Sequence, residues 1–171
     1  MATYIENEEA SALADSVSAF APVVETQSLY LLRAFESTLD NLGTETRAAR
    51  STAENAQKLT ARVRAAKVVT GKLFDPDDAA ISSIETGYRG LEEHLPVITV
   101  KKGAAEADKD LRPEQCDALV CGFDEYVDAV ARLIESAKDL RAAIISHDLA
   151  AEPRPTDSFE SPGQLILALR A

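Results

Sequence analysis

The chain has 171 residues, a net charge of −11 and a pI of about 4.6; 46% of it is hydrophobic, 5% aromatic, and it has no tryptophan. That length allows one domain with a real core, and 27% charged residues is too ordinary a composition for a disordered chain. The acidic balance disfavours nucleic acid and anionic membrane surfaces, which are bound through Lys and Arg, and allows a protein partner of basic character. Acidic charge also keeps a protein soluble.

A core of Leu, Val, Ile and Ala suits helices packed along their lengths better than a β-sandwich. The two cysteines, Cys116 and Cys121, are five residues apart, a rise of about 7.5 Å on one helix, too far and on different faces for a disulfide. The N-terminus, Met1 to Glu9, is acidic and lacks a secretory pattern. No apolar run reaches membrane-spanning length. A reducing, cytoplasmic location without a membrane partner is the expectation.

Leu13, Val17, Phe20, Val24, Leu31, Phe35 and Leu42 recur at steps of three, four or seven, with a polar gap at Gln27. This heptad-like, coiled-coil seam predicts a first helix over 8–42. Pro22 falls inside it; the unbroken register favours a kink or two closely stacked helices over a separate start. Gly43 is the expected stop and Thr44 the expected cap of the next helix. That second helix, 44–70, carries Ala49, Ala53, Ala56, Leu59, Val63, Ala66 and Val69, small enough to let a neighbour come close. Gly71 offers it a left-handed stop.

Asp75-Pro76-Asp77-Asp78 reads as a helix start: a cap, a proline at the first position and acids at the positive helix end. The alternating ligands and closing glutamate of a Ca²⁺ loop are missing. A third helix is expected over 76–95, through Ile81, Ile84, Tyr88, Leu91 and Leu95, with Pro96 ending it. Gly87 and Gly90 mark either a close helix crossing or a soft helix. Val97-Ile98-Thr99-Val100 looks extended, an edge for a partner strand or, as the simpler reading, a connection packed on the bundle's end. Pro113-Glu114 opens the last helix, 113–147, with the most regular seam: Cys116, Val120, Phe123, Val127, Val130, Ile134, Ala137, Leu140 and Ile144. Cys116 on that seam is expected to be a small buried side chain.

The expected fold is therefore all-α, a mostly antiparallel bundle of four principal helices over 1–150. A linker at 151–163, rich in proline and polar residues, and a C-terminal apolar peptide at 164–171 follow. A short third helix cannot cover the long seams of the first and last, so a homodimer is expected to cover the remainder.

Residues 1–43 carry a charge of −6, residues 44–74 +5, and residues 75–95 −5. If the basic helix packs between the two acidic ones, the signs match. The functional alternative is an anion-binding face made by Arg47, Arg50, Lys58, Arg62, Arg64, Lys67 and Lys72.

Catalytic patterns are sparse. The two histidines, His94 and His147, stand in neither H-E-x-x-H nor Glu-x-x-His, and no glycine-rich phosphate loop or nucleophile elbow is present. Glu92-Glu93-His94 spreads its side chains about 100° apart, poor for one metal ion. Asp124 and Asp128 share a face, as acids on solvated helices often do. No metal and no cofactor is expected. Arg141 to His147 spaces an arginine and a histidine by five residues, which is similar to the Arg-x(4–6)-His motif of the HEPN superfamily of helical bundles. That resemblance implies a metal-independent ribonuclease in which His147 transfers the proton at the RNA 2′-OH and Arg141 holds the phosphate. Ala142 stands where the family commonly has a polar residue. The bland reading is a cationic last helical turn.

Leu165, Ile166 and Leu169 share a face if the tail is helical, with Arg170 beside them. Seven residues hold no helix alone in water, so the tail folds back or orders on a partner. It is similar to the C-terminal loading peptides of proteins packaged in bacterial shells, which implies assembly targeting. The functional expectation is a non-catalytic interaction protein of adaptor, antitoxin or immunity type, using its acidic helical surface, the tail residues Leu165, Ile166, Leu169 and Arg170, or both. The alternatives are the ribonuclease of Arg141 and His147, and a small-molecule-binding bundle with a pocket near Tyr88, Gly87 and Gly90.

Overall fold

The computed structural model describes residues 3–5, 7–33, 39–68 and 79–150, with side chains over 9–27, 41–66 and 79–147. In chain order these are β1 (Thr3–Ile5), α1 (Asn7–Arg33), α2 (Leu39–Ala65), β2 (Ala66–Val68), α3 (Ala79–Glu106) and α4 (Pro113–Ala150). The chain is an all-α bundle of four helices, as its seams predict, with β1 and β2 added as a small parallel pair. The linker at 151–163, the peptide at 164–171, and the signals at Gly71 and Asp75-Pro76 lie outside the described residues.

α4, with 38 residues, is about 57 Å long and forms the spine. Its expected seam is buried from Phe123 to Ile144 except for the half-buried Val127, and Tyr126, Ala129, Leu133 and Ala143 widen it. An arc that broad needs two partners. One is α2, which runs parallel to α4: Arg50 faces Glu125, Gln57 donates to Ser136 at 3.3 Å, and the carbonyl of Ala66 lies 2.9 Å from His147 Nε2. The other is α3, antiparallel to α4: Glu85 meets Arg141, Glu92 meets Lys138 and Lys102 meets Asp124. α1 packs chiefly on α3 and more lightly on α2, so α2 and α3 stand across the bundle from each other.

Several expected boundaries move. α1 ends at Arg33 and α2 already begins at Leu39, so Gly43 and Thr44 lie inside α2 and Leu42 belongs to its buried face. α1 is one helix through Pro22, whose carbonyl accepts the Thr26 hydroxyl at 2.7 Å. α3 likewise runs through Pro96 to Glu106, so Val97 to Val100 are helical and no edge strand forms there. A mid-helix proline costs about 3 kcal/mol. Beyond Pro96, Ile98 is buried at 1% exposure and Lys102 reaches Asp124 at 2.6 Å, contacts that a chain stopping at Leu95 would forfeit. At 28 residues α3 is no longer short, which removes the reason for a second copy to cover the seams.

The charge expectation also changes. α3 is not beside α2, and among the described side chains α2 makes one interhelical ion pair, Arg50 with Glu125 at 4.0 Å. Opposite charges meet instead between α3 and α4.

Of the two readings of Gly87, the close crossing holds. A Cβ there would sit 2.6 Å from Val24 Cγ1 and 2.9 Å from the Glu25 backbone nitrogen. At Gly43 a Cβ would meet nothing within 4 Å. Gly43→Ala is therefore expected to raise stability by about 0.5–1 kcal/mol through helix propensity alone. Gly87→Ala is expected to lower it by about 1–3 kcal/mol by driving α1 off α3. Urea midpoints measure both; equal stabilisation by the two would show that the crossing is looser than described.

Candidate functional site

Arg141 and His147 leave α4 on different sides, six residues and about 240° of helical turn apart. Arg141 Nη2 pairs with Glu85 Oε2 on α3 at 3.0 Å, and Arg89 Nη2 holds the other oxygen of that carboxylate at 2.5 Å. His147 Nε2 lies 2.9 Å from the Ala66 carbonyl at the end of α2. The structure gives the two residues separate partners, Glu85 of α3 for Arg141 and the first residue of β2 for His147. The other candidates, Leu165, Ile166, Leu169 and Arg170, lie outside the described residues.

The region around Gly87 is filled. Val24 of α1 occupies the glycine notch, and the Lys138 ammonium lies 5.7 Å over the Tyr88 ring while pairing with Glu92. A depression of about 410 Å³ lies instead between α1 and α2, the loosely packed side of the bundle. Val23 and the polar residues Ser51, Thr52, Glu54, Asn55 and Lys58 line it. Lys58, Arg62 and Arg64 are exposed, and no ion pair joins them to another described side chain. Among the described residues no three His, Cys, Asp or Glu side chains cluster as a metal site would require. Cys116 is half-buried with its Sγ 3.4 Å from the Ala105 carbonyl, and Cys121 is exposed.

The acidic surface has a definite place. Between residues 106 and 128 there are eight acids and two bases, and all eight acids are exposed. They occupy the turn from α3 to α4 and the outer face of the first half of α4. Only Asp124 and Glu125 have ion-pair partners among the described residues, Lys102 and Arg50. The hydrogen bond from Lys102 to Asp124 holds the ammonium above its ordinary range, and the bond to Glu92 does the same for Lys138. Val97 and Val100, which the sequence places in an extended segment, are exposed at 38% and 71% on α3 at this same end. Their apolar spacing of three was the available signal, obscured by the proline before them and by their β-branched character.

No described helix is long and apolar enough to cross a membrane. Tyr126 stands inside the α2–α4 contact at 2% exposure; burial, with the Glu45 charge second, pushes its phenol above the ordinary value of 10.0. The folded state thus keeps a proton that the unfolded chain releases, so Tyr126 lowers stability progressively as pH rises past about 10. Absorbance titration of the native protein is expected to show one tyrosine resisting ionisation, lost in Tyr126→Phe; ionisation of Tyr126 at the ordinary pH would contradict its burial. No family model, curated protein or solved structure matches this chain.

Proposed function

We propose that the protein is a non-catalytic protein-binding module of adaptor, antitoxin or immunity type, in which a helical frame presents an acidic surface to a basic protein partner. The observation that carries this reading is the set of acids between 106 and 128, all exposed and mostly without an ion-pair partner among the described residues. Asp108 accepts the Asp110 backbone N–H at 2.9 Å and Glu114 stands in the first turn of α4, which are roles in the fold; together the eight acids also set up a field that steers a basic partner and selects against an acidic one. Arg141 and His147, by contrast, are engaged with Glu85 and Ala66 in contacts that join the helices. The peptide with Leu165, Ile166, Leu169 and Arg170 is the second contact the reading allows.

Pull-down from the source organism's lysate separates the two contacts. The forms compared are the full chain, a chain ending at Ala151, and the full chain with Asp117→Lys and Asp128→Lys. The expected result is a partner held by the first two forms, released by raised salt and lost with the charge reversals. Capture by the full chain alone moves the contact to the C-terminal peptide. No capture above background by any form overturns the reading. RNA incubated with wild type and with His147→Ala is expected to show no cleavage that depends on the histidine; such cleavage would replace the proposal with the ribonuclease.

A further inference from the structure

We draw no further inference here: the strongest candidate, the exposed apolar ridge of Val97, Val100 and Ala104 on the outer side of α3, carries no docking proposal, because Lys102 reaches Asp124 from the opposite side of that helix, so the aspartates of α4 do not flank the ridge, and nothing in the structure shows what covers it.

Discussion

The breadth of the buried arc on α4 organises the molecule. Ile134, Ala137, Leu140 and Ile144 make the expected single seam, but Tyr126, Ala129, Leu133 and Ala143 bury a neighbouring strip. Each large apolar side chain taken from water contributes about 1.5–3 kcal/mol, so both strips must be covered. α2 covers one and α3 the other. The buried arc of α2 is mostly alanine and threonine, with Ala49, Ala53, Ala56, Thr52 and Thr60 inside. Thr52 and Thr60 turn their hydroxyls back to the carbonyls of Ala48 and Ala56, which satisfies these two groups inside the contact. Small side chains let the parallel pair approach closely, and this pairing then decides where every other helix goes.

With α2 on one side of α4 and α3 on the other, α2 and α3 are separated. The basic helix then lacks its acidic sequence neighbour, and compensation is rebuilt between α3 and α4 through Glu85, Glu92 and Lys102. Exposed pairs of this kind are each worth only tenths of a kcal/mol up to about 1 kcal/mol, too little to override apolar packing. The electrostatic surface is therefore a consequence of packing. Among the described residues, bases on α2 and acids from the α3–α4 turn along α4 are left without ion-pair partners, and the acids are the denser set.

α1 completes the bundle by packing along α3, with Val24 entering the space that the missing side chain of Gly87 leaves. The contact brings α1 onto α3 and leaves the α1–α2 side open enough for a solvent depression. The far part of α3 continues past Pro96 because α4 offers Ile98, Ala105 and Lys102 something to pack on. That continuation turns an apparent connection into a helix with an outward apolar ridge.

The sequence alone determined the helical class, the four principal helices and most of the core. Leu13, Val17, Phe20 and Val24 on α1, Ala49 to Val63 on α2, and Phe123 to Ile144 on α4, with Val127 half-buried, follow their spacing, because a period of 3.6 needs no tertiary information. Helix ends were less legible. Gly43, Pro22 and Pro96 are local stop signals worth about 1–3 kcal/mol each, and contacts with other helices exceed that. The order of helices around the core, the parallel pairing of α2 with α4, and the partners that Arg141 and His147 find in Glu85 and Ala66 are tertiary outcomes. They depend on which apolar arcs are wide and which helices are thin, a comparison among distant segments that no local pattern contains. The acidic charge was countable from composition; which acids find a partner, as Asp124 does in Lys102 and Glu125 in Arg50, was decided only when the helices met.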